Sequence, residues 1–100
     1  MYVYRYEDAR GLGPFQHQGL NRIMAHLPNP RDIGLSHRRG WRYGARTLQD
    51  LFLYFGSHIR DIEQRGYRLV RYLVPDNQTI STHNQVMFNP EAAQAFEELD

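Results

Sequence analysis

Gly66-Tyr-Arg-Leu-Val-Arg-Tyr-Leu-Val-Pro75 is the stretch that decides the fold class. From Tyr67 to Val74 it sets Leu69 and Leu73 against Val70, Tyr72 and Val74. A run rich in branched and aromatic residues, bounded by Gly and Pro, reads as a β-strand. Pro75-Asp-Asn-Gln78 then reads as a turn and Gln85-Val-Met-Phe88 as a second strand, which predicts an antiparallel hairpin between the two. Upstream, Thr47 caps a helix with Asp50 three residues on and a stripe of Leu48, Leu51, Phe52 and Phe55. Gly56 ends it. Ser57 caps a second short helix carrying Ile59 and Ile62, which Gly66 closes. Downstream, Asn89 and Pro90 open a last helix with Ala92, Ala95, Phe96 and Leu99 on one side.

At the other end of the chain, residues 1–7 alternate, with Tyr2, Tyr4 and Tyr6 on one side and Val3, Arg5 and Glu7 on the other, a strand pattern. Such a strand suits either an exposed edge that pairs with a second copy, giving a dimer, or an internal position. Gly11-Leu-Gly-Pro14 breaks it, and Leu20, Ile23, Met24 and Leu27 then fall at helical spacing until Pro28-Asn-Pro30 stops the helix. Residues 28–46 form a long irregular connection, which is more often functional than idle. The order predicts an α+β domain over residues 1–100, a small, mostly antiparallel sheet of about three strands covered by three to four short helices.

Composition narrows the function classes. The 100 residues carry 12 basic and 11 acidic side chains and no Cys, so neither a disulfide framework nor a thiol nucleophile is available. No apolar run approaches the roughly 20 residues of a membrane span. A soluble, cytoplasmic domain without membrane partners is therefore expected. The net charge of +1 argues against a protein that coats DNA by neutralising many phosphates. Every basic residue is Arg. Codon usage in a GC-rich genome accounts for that, and so does selection for planar, bidentate guanidinium groups.

Catalytic motifs do not emerge. The His residues at 17, 26, 37, 58 and 83 lack the i, i+4 spacing of a helical metal site, so no metal is expected. Ser36, Ser57 and Ser81 lack a nucleophile elbow, and Gly11-Leu-Gly-Pro14 lacks the third Gly of a dinucleotide fingerprint. Glu7 and Asp8 alternate across the strand and read as a solvated edge rather than as an acid/base pair. The expectation is a binding protein with no catalytic residue and no cofactor.

The informative segment is His37 to Arg46, where Arg38, Arg39, Arg42 and Arg46 alternate with Trp41 and Tyr43 and no acid intervenes. Arg, Trp and Tyr are the anchors of protein interfaces, and interleaved Arg and aromatic groups also stack on bases and clamp phosphates. A third reading has the rings packing the loop onto the core while the Arg side chains stay in water. These six residues are the candidate partner-binding set. Arg60, Arg65, Arg68 and Arg71, offset by Asp61 and Glu63, read as a solvated face.

Tyr4-Arg-Tyr-Glu7 followed by Gly11-Leu-Gly-Pro-Phe15, Pro28-Asn-Pro-Arg-Asp32, the Leu51–Phe55 helix, Gly66-Tyr67 and Gln85-Val-Met-Phe88 resembles a family of small, mostly uncharacterised phage and prophage proteins. The resemblance covers about four-fifths of the chain and implies a phage accessory protein. Such proteins include inhibitors of host defence, anti-CRISPR proteins among them, whose partner is a host defence protein or ribonucleoprotein complex. A first strand carrying Arg5 and a late strand opening at Gln85 also resemble ADP-ribosyltransferase-like folds, which grip nicotinamide dinucleotide. That family's catalytic Glu falls near Gln85, so this resemblance implies nucleotide or NAD binding without turnover.

Overall fold

The computed structural model describes residues 1–25, 27, 38–82 and 85–99. Six strands, two helical bodies and several 3-10 turns make up the described chain. β1 (Tyr2–Glu7) is followed by a 3-10 turn at Pro14–Gln16 and by α1 (Gln18–Ile23), which the His17 Nδ1 caps by accepting from the Leu20 amide at 3.2 Å. β2 (Arg42–Gly44) precedes α2 (Leu48–Phe55), whose Thr47 cap is formed as expected, with Oγ1 accepting from the Asp50 amide at 3.0 Å. α3 (Ile59–Gln64) continues from α2 through one 3-10 turn, so residues 48–64 act as a single broken helix. Ser57 lies inside that turn, and no side chain caps α3. Then come β3 (Arg68–Leu73), β4 (Thr79–Thr82), β5 (Gln85–Phe88) and β6 (Ala95–Leu99).

All strand pairing is antiparallel, in two three-stranded sheets ordered β1-β3-β6 and β2-β5-β4. The expected α+β class holds, but the sheet content is twice that expected and the helical bodies are fewer. The hairpin expected between β3 and β5 does not form. β5 takes β4 as its hairpin partner and β2 on its other side, while β3 lies between β1 and β6. The last helix is also corrected. Asn89 does cap a 3-10 turn at Pro90–Ala92, yet residues 95–99 then extend along β3 as an edge strand. Its composition favours a helix, but the open edge of β3 offers a full backbone ladder. Arg71 faces Glu97 in register with an Nε–Oε2 distance of 2.7 Å, and Arg68 reaches Glu98 at 3.0 Å. Those pairs tether both side chains to β6, with Arg68 still exposed as expected and Arg71 half-buried.

β1 and β2 meet at one bridge, where Tyr4 and Ala45 exchange backbone hydrogen bonds of 2.8 and 2.7 Å. That contact places β1 internally and orders the six strands 4-5-2-1-3-6 across both sheets. Gly44 makes the approach possible. A Cβ there would stand 2.5 Å from Val3 Cγ1 and 2.7 Å from the Tyr4 carbonyl oxygen.

Two cores follow from the alternation along β1. Tyr6 points toward the helices and packs with Leu20, Met24, Leu51, Phe55, Ile62 and Tyr67. Val3 points the other way and packs with Val70, Tyr72, Val74, Val86 and Phe88, which fastens one sheet to the other. Each fully buried Leu, Phe or Val contributes about 1.5–3 kcal/mol. The expected stripe on α2 is rotated, since Leu51 and Phe55 are buried but Phe52 is 42% exposed. Among the described residues no helix is long and apolar enough to cross a membrane.

Candidate ligand cleft

Arg5 and Glu7 share the inward face of β1 with Val3, and both are buried, at 6% and 7% exposure. Glu7 is therefore not part of a solvated edge. Burying a charge is costly unless it is paired and hydrogen-bonded, and here it is both. Arg5 Nε stands 3.2 Å from Glu7 Oε1, without the alignment of a hydrogen bond. Its Nη1 donates to the Tyr43 carbonyl at 3.0 Å and its Nη2 to the Gly11 carbonyl at 3.2 Å. One guanidinium thus ties β1 to β2 and to the turn after β1. That turn is shaped by Asp8, whose Oδ1 accepts from the Arg10 and Leu12 amides at 2.8 and 3.0 Å.

A second guanidinium joins the cluster. The Tyr72 hydroxyl donates to Glu7 Oε1 at 2.7 Å and accepts from Arg42 Nη1 at 2.8 Å, while Arg42 Nη1 lies 3.7 Å from the same carboxylate. Two cations share one anion, so the cluster carries one positive charge in excess. Burial lowers the Arg5 pKa to about 10; Glu7 opposes that shift and neighbouring Arg42 adds to it. Burial likewise pushes the Tyr72 hydroxyl up to about 12, with the hydrogen bond and charge of Glu7 acting in the same sense.

Above this cluster, where β1 and β2 diverge past their single bridge, opens a cavity of about 510 Å³. Arg5, Arg42, Tyr43 and Trp41 line one side, and Phe15, Tyr54, Phe55 and Asp50 another. Ring contacts stiffen the second wall, with Tyr54 and Phe55 edge to face at 4.9 Å and Phe15 against Tyr54 at 6.3 Å. Gln85, at the start of β5, also lines the cavity and hydrogen-bonds the Tyr54 hydroxyl, which burial pushes up to about 12 against that bond. The volume, the aromatic walls and the few convergent polar groups are those of a small-molecule site.

The six residues singled out in the sequence divide. Trp41, Arg42 and Tyr43 line the cavity. Arg38 and Arg39 are exposed outside it, with the Arg38 guanidinium 4.8 Å over the Trp41 ring. Arg46 is exposed at the far end of β2. His37 and Pro28-Asn-Pro-Arg-Asp32 lie outside the described residues. Two cavity-lining residues, Asp50 and Tyr54, and Glu7 of the charge cluster escaped the sequence reading. Glu7 was placed on the surface, Asp50 entered only as part of a cap signal, and Tyr54 sat off the expected apolar stripe. The signal for Glu7 was its period-two alignment with Val3 and Arg5.

A split antiparallel sheet with a buried charge cluster beside an aromatic-walled cavity defines a small α+β protein. The sequence matches the family described as Bacteriophage T4 Y00F protein over residues 1–100, and the chain belongs to that family of phage proteins. No curated protein and no solved structure matches the chain.

Proposed function

We propose that this phage protein binds, without turnover, a small anion bearing an aromatic ring, of the nucleotide or nicotinamide dinucleotide class. The observation that carries the reading is the meeting of Arg5 and Gln85 in one aromatic-walled cleft. These are the residues on which the resemblance to ADP-ribosyltransferase-like folds rests. The cleft suits such a ligand on independent grounds. Its rings offer stacking surfaces, and the unbalanced charge at Arg5 and Arg42 favours phosphate. Gln85 supplies an amide where a transferase needs a carboxylate, and Glu7 is held by Arg5 and Tyr72, which supports a reading of binding rather than catalysis.

The test is a thermal-shift and calorimetric panel of NAD⁺, mononucleotides and cyclic nucleotides. A ligand at about 100 times its dissociation constant adds roughly 2.7 kcal/mol, and each kcal/mol raises the Tm of such a domain by roughly 4–8 °C. Gln85→Ala weakens the effect while the unliganded Tm stays close to wild type. A flat response to the whole panel at millimolar ligand overturns the reading.

A second reading draws on the exposed Arg38 and Arg39 beside Trp41. In it the chain inhibits a host defence protein or ribonucleoprotein complex, as anti-CRISPR proteins do, by docking through Arg38, Arg39, Trp41, Arg42, Tyr43 and Arg46. Trp41→Ala then costs about 2 kcal/mol or more of partner binding. Arg38→Glu with Arg39→Glu abolishes capture and leaves the nucleotide response intact. A steep fall of affinity with salt identifies nucleic acid as the partner.

A further inference from the structure

Asp50 has no part in the cleft's charge cluster. Asp50 lines the cavity from the first turn of α2, and its carboxylate has no ion-pair or side-chain hydrogen-bond partner among the described residues. It stands one helical turn before Tyr54, at i and i+4, so the two project from the same side of α2. Gln85 is bonded to Tyr54 and extends this wall. The cleft is therefore polarised, with surplus positive charge at Arg5 and Arg42 and an uncommitted acceptor at Asp50.

We infer that Asp50 selects the ring of the bound anion, favouring one that offers it adjacent N–H donors or positive charge. The inference rests on the nucleotide-binding reading and narrows it. An ionised carboxylate only accepts hydrogen bonds. The guanine edge, with N1–H beside the 2-amino group, satisfies both oxygens at once. The adenine edge sets a ring-nitrogen acceptor beside its amino group and so opposes acceptor to acceptor, which disfavours it. An oxidised nicotinamide ring meets the carboxylate with its positive charge and the aromatic walls with a cation–π contact, whereas the reduced ring is neutral. Guanine and oxidised nicotinamide share the relevant chemistry, a ring that presents positive potential to a carboxylate, carried on an anionic tail.

The experiment measures dissociation constants for GMP against AMP and for NAD⁺ against NADH, with the full chain and with Asp50→Asn. The Asn variant keeps its backbone amide for the Thr47 cap, and an unchanged Tm verifies its fold. A preference of tenfold or more for GMP over AMP or for NAD⁺ over NADH, reduced to twofold or less in Asp50→Asn, supports the assignment, and the discriminating pair identifies the ring; the reverse preference overturns it. Equal binding within both pairs overturns the role of Asp50 and leaves the nucleotide reading standing. A preference that survives Asp50→Asn also overturns it. Absence of binding by all four overturns both.

Discussion

The Tyr72 hydroxyl donates a 2.7 Å hydrogen bond to Glu7 Oε1 across 65 positions of chain. It joins β3 to β1 through side chains where the backbone ladder already joins them. It also receives Arg42 from β2, so three strands converge on one phenol. Removing a partner from such a cluster leaves a buried charge uncompensated. Glu7→Gln is expected to destabilise by about 3–5 kcal/mol because Arg5 keeps its charge without a counterion. Tyr72→Phe removes one donor and costs about 1–3 kcal/mol. Urea denaturation of both variants gives the order, and a milder effect for Glu7→Gln than for Tyr72→Phe contradicts the charge assignment.

Ion pairs at the β6 edge behave differently. Arg68 and Glu98 are 3.0 Å apart with both side chains largely in water. Arg68→Gln changes stability by no more than about 1 kcal/mol, because solvent screens the pair. A loss near that of Glu7→Gln, read from the same denaturant curves, refutes the distinction between the two sites.

Gly44→Ala tests the close approach of β2 to β1. The added methyl carbon meets Val3 Cγ1 at 2.5 Å and a carbonyl oxygen at 2.7 Å, so the strands must separate. The expected cost is about 1–3 kcal/mol, as for an overpacked core. Faster hydrogen exchange at the Tyr4 and Ala45 amides is the accompanying signature. An unchanged midpoint with those amides still protected contradicts the geometry.

Alkaline titration follows from two phenols, Tyr72 buried and Tyr54 half-buried. The Tyr54 and Tyr72 hydroxyls are both raised to about 12, first by burial, so the fold favours their neutral forms. An unfolded tyrosine ionises near pH ~10. Their contribution is therefore complete below about pH 10 and is lost as pH rises from there toward 12. Tyrosinate absorbance followed together with the urea midpoint measures this. Tyr72→Phe removes its share of the slope. A slope of opposite sign between those limits excludes the assignment.

Local signals in the sequence revealed much of the fold. The alternation of β1, the Thr47 cap of α2 and the apolar run of β3 all depend on neighbours in the chain, and all stand in the structure. What failed was long-range or weak. β4 is the polar tetrapeptide Thr79-Ile-Ser-Thr82, with no hydrophobic run to mark it. In β6, Ala95-Phe-Glu-Glu-Leu99 favours a helix locally, and the vacant edge of β3 overrides that preference. The site was legible by halves. Trp41, Arg42 and Tyr43 declared themselves by composition, and Arg5 and Gln85 by resemblance. Asp50 and Tyr54 needed the true rotation of α2, which turns Phe52 partly outward and brings Tyr54 against the cleft.

The lone bridge between Tyr4 and Ala45 has a mechanical corollary. Two peptide hydrogen bonds clasp one half of the strand array to the other, whereas each half is laced internally by full ladders. Prying the halves apart at that clasp breaks far fewer peptide hydrogen bonds than fraying either one. The two halves are therefore held together chiefly by side chains, through the packing of Val3 and the tethers of Arg5 and Arg42, rather than by peptide hydrogen bonds.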